Sequence, residues 1–231
     1  MTLPPDQVRA MFDRITPAYD RMNRLMSLGM DGSWRSLAVR ASGVAPGDAA
    51  LDVCCGTGDL AFELARRVGP DGRVVGSDFS ERMLDLAREK PVPEAAAKPI
   101  FEWADALDLP YDDGGFDAVT VGFGVRNVTD LEAGLRELRR VLRDGGRVGI
   151  LEITTPRGWL RPFYRLWFDK LVPLLGKVLP GGAAYTYLPA SVRRFPPPEE
   201  LGALLERNGF VAVRFRLFAG GIVALHVGDA R

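Results

Sequence analysis

The stretch LDVCCGTGDLAFELA, from Leu51 to Ala65, joins a short apolar run to a helix-like pattern through two cysteines and a Gly-Thr-Gly turn. Glycines directly after a buried strand are typical of a doubly wound α/β sheet, because they let a ligand approach the backbone at the carboxyl ends of the strands. The order G-x-G-x-x-A, from Gly56 to Ala61, fits a nicotinamide or another adenosine cofactor and is a weak motif by itself. The adjacent cysteines add a redox or metal site as a third interpretation. The remainder of the chain decides among the three.

Cys54 and Cys55 are the only cysteines in the chain. Adjacent strand residues point to opposite faces, so an ordinary disulfide between them is not expected. The sequence has no Cys-x-x-Cys and no histidine nearby, so we expect no metal site. We interpret both residues as small buried apolar side chains at the end of a core strand. Reduced thiols fit a cytoplasmic protein.

The composition limits the classes of partner. The chain of 231 residues is 47% hydrophobic, which suffices for the core of a single domain over residues 1–231. Thirty basic residues balance thirty acidic ones, so no overall field favours nucleic acid, and we expect no nucleic-acid partner. The sequence shows neither a signal peptide nor an apolar run of about eighteen residues, so no membrane-spanning helix is expected.

Between residues 49 and 153, short apolar runs alternate with amphipathic runs. The predicted strands are AALDVC, RVVGSD, IFEW, FDAVTVGF and, after a turn, the end of RDGGRVGILEI. The predicted helices are DLAFELARRV, SERMLDLAREK with Ser80 as N-cap, and TDLEAGLRELRRVL. A helix at about 198–208 and two strands, FVAVRFRLF and GGIVALHVG, follow. This order predicts a Rossmann-like, mostly parallel seven-stranded sheet with helices on both faces and an antiparallel last strand.

Three acidic positions narrow the choice of cofactor. Asp52 lies in the first predicted strand, and Asp78 ends the second, about twenty residues after Gly58. A carboxylate in that place can accept both ribose hydroxyls of an adenosine. Asp105 and Ala106 follow the third strand, within WADALDLPYDDGGFDAV. An Asp beside a small residue there, before a Pro-acidic-Gly turn, resembles the class I S-adenosylmethionine-dependent methyltransferases.

That resemblance implies the class I methyltransferase fold and a set of cofactor contacts. Asp78 would bind the ribose of S-adenosyl-L-methionine. Asp105 would accept a hydrogen bond from the exocyclic amine of adenine, and the Ala106 amide would donate one to a ring nitrogen. The cofactor would also lie along the glycine turn, at Gly56, Thr57 and Gly58.

Longer stretches resemble one particular family. They are MFDRITPAYDRMNRLMSLGMDGSWR (Met11–Arg35), LDVCCGTGDL, FGVRNVTD (Phe123–Asp130), RVLRDGGRVGILEI and GGIVALHVG. In this order, and over nearly the whole chain, they resemble the ubiquinone/menaquinone biosynthesis C-methyltransferase family. The Tyr-Asp-x-Met-Asn and Phe-Gly-x-Arg-Asn blocks are not general methyltransferase features. Four positions differ from the usual pattern of the family: Asp31 stands where it usually has His, Gly122 and Thr154 where it has Ser, and Asp144 where many members have Pro.

The resemblance implies methylation of a ring carbon of a polyprenylated quinol, with S-adenosyl-L-methionine as the methyl donor. We favour the naphthoquinol of menaquinone biosynthesis; the benzoquinol of the ubiquinone branch, or both rings, is the alternative. A ring carbon becomes a good nucleophile when a neighbouring hydroxyl loses its proton. The enzyme must therefore stabilise a phenolate and exclude water from the reacting atoms.

Arg126 is the predicted partner of the phenolate, because it follows the fourth strand and should lie at the carboxyl end of the sheet. Asn127 would orient the same oxygen or a bridging water. The alternative is structural: Thr129 would be the N-cap of the next helix, and Arg126 would be solvated.

The N-terminal segment, residues 1–45, is predicted to be a helical lid over the cofactor. Within it, Tyr19 would contact the methionine part and Asp20 would accept a proton; the alternative for Asp20 is a helix cap. The single histidine, His226, lies on the last predicted strand. We interpret it as structural rather than as a general base.

Residues 155–197 form a predicted helical insertion for substrate or membrane contact. Four apolar side chains recur there every four residues, at Trp159, Phe163, Trp167 and Leu171, with positive charge at Arg161, Arg165 and Lys177. This pattern is typical of a helix lying on a membrane surface, which predicts peripheral contact with the inner face of the cell membrane. The alternative is packing on the domain or on another subunit of a homodimer.

Three other functions compete with quinol methylation. A nicotinamide oxidoreductase would need a catalytic pair such as Tyr-x-x-x-Lys, and Tyr164, Tyr185 and Tyr187 lack such a lysine. A methyltransferase for another small molecule would keep the cofactor motifs without needing the Phe-Gly-x-Arg-Asn block. A non-catalytic protein would bind the cofactor without turnover, and the presence of Asp105 and Arg126 argues against it.

Overall fold

The computed structural model of the chain describes residues 5–16, 19–156, 158, 161–166 and 182–231. These residues form one seven-stranded sheet. Its strands are β1 Ala49–Val53, β2 Arg73–Asp78, β3 Ile100–Trp103, β4 Phe116–Gly122, β5 Leu142–Ile153, β6 Phe210–Phe218 and β7 Val223–Ala230.

The order of strands across the sheet is β3-β2-β1-β4-β5-β7-β6. Pairing is parallel from β3 to β5, and β7 runs antiparallel between β5 and β6. This topology confirms the predicted class I methyltransferase fold. The chain reverses its direction of travel across the sheet between β1 and β4, and in such sheets ligands bind at the carboxyl ends of the strands beside that point.

Helices cover the sheet and extend beyond it. They are α1 Pro5–Ile15, α2 Tyr19–Met26, α3 Asp31–Ala41, α4 Asp59–Val68, α5 Glu81–Glu89, α6 Leu131–Val141, α7 Arg161–Leu166, α8 Gly182–Arg194 and α9 Pro198–Arg207. Short 3-10 turns occupy Val125–Asn127 and Ala219–Gly221.

Two apolar clusters fill the space between the sheet and its helices. Because side chains alternate along a strand, Ala50 packs with α3, α4 and α5 on one face, whereas Leu51 and Val53 pack with α6 and α9 on the other. The first strand is therefore buried from both sides, as its continuous apolar sequence predicts.

Side chains cap the first turns of α5 and α6. The Ser80 hydroxyl accepts a hydrogen bond from the Met83 amide at 3.3 Å, so Ser80 is the N-cap of α5 as predicted. The alternative in which Thr129 caps α6 is wrong. The Asp130 carboxylate accepts from the Ala133 amide at 3.0 Å and caps that helix, and its charge also suits the positive end of the helix dipole.

The predicted membrane-facing stripe falls largely outside the described residues. Trp159, Trp167, Leu171 and Lys177 are not among them, and the side chains of Phe163 and Arg165 are not described. Within the insertion the structure describes helices α7 and α8. Among the residues that the structure describes, none of the helices has the length and apolar character needed to cross a membrane.

Candidate functional site

The turn after β1 has a backbone that few residues can adopt. Cys54, Gly56 and Gly58 all have positive φ angles, of 56°, 55° and 81°. A Cβ on Gly58, the N-cap of α4, would lie 2.7 Å from the Phe101 ring, so only glycine fits there. The turn therefore brings bare backbone to the carboxyl end of β1, as the Gly-Thr-Gly pattern predicts.

Asp78, at the end of β2, is bonded to this turn. One carboxylate oxygen accepts from the Gly56 amide at 2.8 Å, and the other accepts from the Ser80 amide at 2.9 Å. Burial raises the pKa of Asp78 to about 6, although these amides and that of Phe79 oppose the shift. Asp78, the residue predicted to bind the ribose, thus also orders the glycine turn.

A pocket beside Asp78 contains the residues predicted to hold adenine. We call it the carboxylate pocket; its lining is Val8, Val53, Cys54, Asp78, Phe79, Ala104, Asp105, Ala106, Leu107, Gly124, Asn127, Val128 and Thr129. Asp105 is exposed, and its Oδ1 accepts from the Leu107 amide at 3.0 Å. This turn fixes the carboxyl group of Asp105 at the edge of the pocket. The five residues Gly56, Thr57, Asp78, Asp105 and Ala106 thus lie around the carboxyl ends of β1, β2 and β3.

The two cysteines pack on opposite faces, and neither is disulfide-bonded. Both are half-buried rather than fully buried, because Cys54 also lines the carboxylate pocket. Burial, together with the charges of Asp78 and Asp52, raises the pKa of both thiols well above their usual range. Such thiols are poor nucleophiles, which supports a packing role over a redox role.

Gly124, in the Phe-Gly-x-Arg-Asn block, lies directly against Cys54. A Cβ at Gly124 would stand 2.3 Å from the Cys54 Cβ, so a side chain at this position would displace the turn after β1. This contact gives a spatial reason for the glycine in the block and joins the turn after β4 to the turn after β1.

A second, mostly apolar pocket lies between the N-terminal helices and the carboxyl end of the sheet. We call it the arginine pocket; its lining is Met11, Phe12, Ile15, Tyr19, Met22, Asn23, Met26, Ser27, Asp31, Trp34, Arg35, Phe123, Arg126, Ile153, Tyr187, Leu188, Ile222 and Val223. It shares no lining residue with the carboxylate pocket, but α1 contributes to both. Its size and apolar walls suit a ring with a hydrocarbon substituent.

Arg126 lies in the arginine pocket and is paired with Glu152. Its Nη1 donates to Glu152 Oε1 at 2.8 Å and to the Phe123 carbonyl, and the side chains of Arg126 and Glu152 are 7% and 1% exposed. The alternative of a solvated Arg126 is therefore wrong. Within the described residues, the Arg126 Nε finds no acceptor. Burial raises the pKa of Glu152, while the charge of Arg126 opposes that shift.

Glu152 was not among the residues predicted from the sequence. The signal was present, because LEI ends a strand of otherwise apolar residues, VGILEI, and a buried carboxylate needs a cation. The Ile153 amide donates to Glu152 Oε1 at 2.7 Å and the Arg126 amide to Oε2 at 3.3 Å. These bonds hold the carboxylate, and through it the guanidinium, at the carboxyl ends of β4 and β5.

Asn127 lies in the other pocket from Arg126. It lines the carboxylate pocket, and its side-chain oxygen accepts from the Tyr187 hydroxyl at 3.1 Å. Tyr187 in turn lines the arginine pocket. Asn127 thus lies in the carboxylate pocket and is connected to the arginine pocket through Tyr187.

Tyr19 lies in the arginine pocket, with its ring edge-on to Phe12 at 6.2 Å between centroids. Its ring would be 3.9 Å from a Cβ on Gly56, so it also adjoins the glycine turn. Burial raises the pKa of Tyr19, while a hydrogen bond to Asn23 and the charge of Arg126 lower it. Tyr19 thus lies where the predicted contact with the methionine part of the cofactor would require it, beside both the glycine turn and the arginine pocket.

Asp20 contacts residues of the sheet domain, Thr57 and Lys90, instead of facing a pocket. Its Oδ1 accepts from the Thr57 hydroxyl at 2.6 Å, and its Oδ2 pairs with Lys90 Nζ at 2.8 Å. Lys90 also pairs with Asp59 at 2.7 Å. Among the described residues Asp20 lines neither pocket, so its contacts favour holding α2 against the glycine turn over accepting a proton.

Two further predicted residues lie away from both pockets. His226 is buried within β7, where its Nε2 lies 2.8 Å from the Pro198 carbonyl and its ring packs on Phe215. Burial lowers the pKa of His226. Asp52 is fully buried in β1 and accepts from the Thr120 hydroxyl at 2.8 Å, and burial raises the pKa of Asp52 to about 7.

Comparison with known proteins gives consistent similarities. The sequence profile of the ubiE/COQ5 methyltransferase family matches residues 1–230. A demethylmenaquinone methyltransferase of Staphylococcus aureus strain JH9 is 41% identical over 225 residues, which is 96% of this chain and 92% of the relative. Among solved structures, an S-adenosylmethionine-dependent methyltransferase from Thermotoga maritima has a TM-score of 0.65 at 20% identity, covering 96% of this chain and 99% of its own.

A second similar structure was solved with the cofactor bound. It is phosphoethanolamine N-methyltransferase 2 of Haemonchus contortus in complex with S-adenosyl-L-methionine, with a TM-score of 0.61 at 16% identity, covering 84% of this chain and 52% of that one. At these identities the two structures show a shared fold.

Proposed function

Because the chain belongs to the ubiE/COQ5 methyltransferase family, we propose that it transfers a methyl group from S-adenosyl-L-methionine to a ring carbon of demethylmenaquinol. The product would be menaquinol. The chain is an S-adenosylmethionine-dependent methyltransferase by family and fold, and the ring follows from the name of its 41% identical relative.

The observation that carries the proposal is the mostly apolar arginine pocket beside the carboxylate pocket. Two buried arginines line it: Arg35 is paired with Asp31, whereas the Nε of Arg126 has no acceptor within the described residues. A polyprenylated ring needs apolar walls, and its phenolate needs a fixed cation. Arg126 supplies that cation in a position held by Glu152 and the Phe123 carbonyl. Preorganised charge of this kind stabilises a developing anion better than mobile water does.

The carboxylate pocket fits the adenosine part of the methyl donor. Asp78 presents a carboxylate for the ribose hydroxyls, and Asp105 and Ala106 lie where they would bind adenine. Gly56, Thr57 and Gly58 offer a turn without bulky side chains. When bound, S-adenosyl-L-methionine supplies an electrophilic methyl group on a sulfonium.

The chain's own residues would act on the quinol. The Nε–H of Arg126 lacks an acceptor within the described residues, and a quinol oxygen would provide one. Arg126 would thereby favour ionisation of that hydroxyl and raise the electron density of the ring. Tyr19, Phe12 and Trp34 would exclude water and orient the ring plane.

The N-terminal helices would act as a lid. Helix α1 contributes Val8 to the carboxylate pocket and Met11 and Phe12 to the arginine pocket, and Asp20 ties α2 to Thr57. Entry of either substrate would then require these helices to move. The contacts of Asp20 support a role in closing the lid.

The test is methyl transfer from labelled S-adenosyl-L-methionine to reduced short-tailed demethylmenaquinol and, separately, to the reduced demethylated benzoquinol. Transfer to the naphthoquinol alone would support the menaquinone assignment. Transfer to both rings would make the enzyme dual-purpose, and transfer to the benzoquinol alone would move it to the ubiquinone branch. Cofactor binding without transfer to either ring would refute the quinol substrate.

A further inference from the structure

Three apolar side chains project into solvent at the turn between α2 and α3. Leu25 is 61% exposed, Leu28 82% and Met30 41%. Single exposed apolar side chains are ordinary, but three of them within residues 25–30 form a patch that folding alone does not explain. We call residues 21–30 the α2–α3 tip.

Leu28 is unfavourable at its position for a second reason. Its φ angle is +51°, in the left-handed region that Asn, Asp and Gly tolerate and Leu does not. The side chain is thus both exposed and attached to a strained backbone. Neither property stabilises the fold, so a leucine here points to a contact outside the chain.

The same helix has a second apolar face directed inward. Tyr19, Met22, Asn23 and Met26 of α2 line the arginine pocket, while Arg21, Arg24 and Leu25 are exposed. No residue of α2 is fully buried. The tip therefore stands at the rim of the pocket that the proposed ring and its tail enter.

The charge around the tip is positive, although the whole chain is neutral. Arg21 and Arg24 within the tip are exposed, and among the described residues no ion pair with them is found. The nearby carboxylates are engaged elsewhere: Asp20 and Asp59 pair with Lys90, Asp31 with Arg35, and Glu63 with Arg66. An anionic surface would complement these arginines.

We propose that the α2–α3 tip docks on an anionic phospholipid bilayer. Leu25, Leu28 and Met30 enter the interface, and Arg21 and Arg24 lie at the headgroups. The proposal rests on the proposed function, in which a lipid-soluble quinol passes from the bilayer into the arginine pocket beside the tip. A second copy of the chain is a poorer occupant, because a two-fold contact here would bring the same arginines together.

The first experiment is cosedimentation of the full chain with vesicles. Vesicles of phosphatidylcholine containing phosphatidylglycerol are compared with vesicles of phosphatidylcholine alone, at low and high salt. The wild type should bind the anionic vesicles, and salt should weaken binding. Failure of the wild type to bind anionic vesicles overturns the proposal.

The decisive variant is Leu28→Asn. Asparagine tolerates the left-handed backbone, so the melting temperature should stay equal or rise, while vesicle affinity should fall about tenfold through loss of one inserted leucine. The matched control is Ile100→Asn. The Ile100 side chain is 54% exposed and lies at the amino end of β3, at the end of the sheet opposite to the two pockets. Equal vesicle binding by Leu28→Asn and the wild type overturns the proposal.

Activity measurements separate the two proposals. Methylation of a short-tailed quinol in solution should be unchanged in both variants, whereas methylation of a long-tailed quinol within vesicles should fall only in Leu28→Asn. If the wild type binds vesicles through Leu28 but methylates no quinol, the docking surface stands and the proposed substrate fails. If Leu28→Asn instead dissociates a wild-type dimer in sedimentation velocity, the tip is a subunit interface and the proposal is wrong.

Discussion

The buried pair of Arg126 and Glu152 stabilises the fold and, under the proposed function, also holds the cation that the chemistry needs. Two charges that are 7% and 1% exposed must satisfy each other, because neither has access to bulk water. A loss of activity in a single variant would therefore be ambiguous. Only variants that restore stability without restoring charge separate the two roles.

We expect Arg126→Leu to lower the free energy of unfolding by about 3–5 kcal/mol, because it leaves Glu152 buried without a partner. The double variant Arg126→Leu with Glu152→Leu should recover most of that loss. Methyl transfer should fall at least about 100-fold in both variants, since neither can stabilise a phenolate. Urea unfolding and a methyl-transfer assay measure the two quantities. An active double variant would remove Arg126 from the chemistry.

The carboxyl group of Asp78 predicts a pH dependence of cofactor binding. Its pKa is raised to about 6 in the folded chain, so it takes up a proton as the pH falls through 6. The protonated group accepts ribose hydroxyls poorly, and the affinity for S-adenosyl-L-methionine should fall about tenfold per pH unit below that value. Folding stability should change in the opposite sense: it should decrease as pH rises from about 4 to 6, because the unfolded chain releases this proton first.

Titration calorimetry between pH 5 and about 7.5 tests the binding prediction. Asp78→Asn should bind weakly with a flat profile over this range. Asp112→Asn, a change at an exposed turn, should keep the wild-type profile. A wild-type affinity that is constant across pH 6 would show that the ionisation of Asp78 does not govern binding.

For single residues, the sequence predicts which residues lie at the site better than it predicts the residues they contact. Asp78, Asp105, Tyr19 and Arg126 follow from motif positions, and each lines or adjoins a pocket. Their roles stay predictions. The links of Arg126 to Glu152 and of Asp20 to Lys90 span 26 and 70 residues of sequence, so only the folded chain reveals them.

At the scale of elements, Lys90 joins three parts of the site. It follows α5 and pairs with Asp20 of α2 and Asp59 of α4. These side chains are partly exposed, so the pairs contribute little to overall stability, on the order of 1 kcal/mol. Their effect should instead fall on the placement of α2 over the glycine turn.

We expect Lys90→Met to raise the KM for S-adenosyl-L-methionine several-fold and to speed hydrogen exchange in α2. The melting temperature should change by only a few degrees. Lys98→Met, at an exposed loop position, is the matched control. A variant with faster exchange and an unchanged KM would mean that the position of α2 does not affect cofactor binding.

Many boundaries of helices and strands could be predicted from the sequence, because residues next to the boundary determine them. The glycine turn begins α4, Ser80 begins α5, and the apolar runs of β1 and β2 match their strands. The error at α6 arose because Thr129 and Asp130 are both good caps, and the choice depends on backbone angles that no local pattern gives.

At the scale of the whole molecule, the sheet depends on its last strand. β7 lies between β5 and β6, so every strand pairing that joins β6 to the parallel strands of the described sheet passes through it. Deletion of residues 223–231 should therefore abolish cooperative unfolding rather than merely lower the melting temperature. Circular dichroism during thermal unfolding measures this.

Deletion of residue 231 alone is the control. It removes only contacts at the end of the chain, with Gly209 and Arg139, and should cost about 1 kcal/mol. A chain that lacks β7 and still unfolds in one sharp transition would show that the parallel strands are independently stable. The sequence predicts the antiparallel pair of β6 and β7, but the placement of β7 next to β5 depends on long-range packing.

One helix, α1, borders both pockets. Val8 faces the carboxylate pocket, and Met11, Phe12 and Ile15, one to two turns further along, face the arginine pocket. A displacement of the whole helix would therefore open both pockets at once. The consequence concerns turnover: with α1 moving as one body, the spent cofactor and the methylated ring would leave, and the next pair would enter, in one shared step of the cycle.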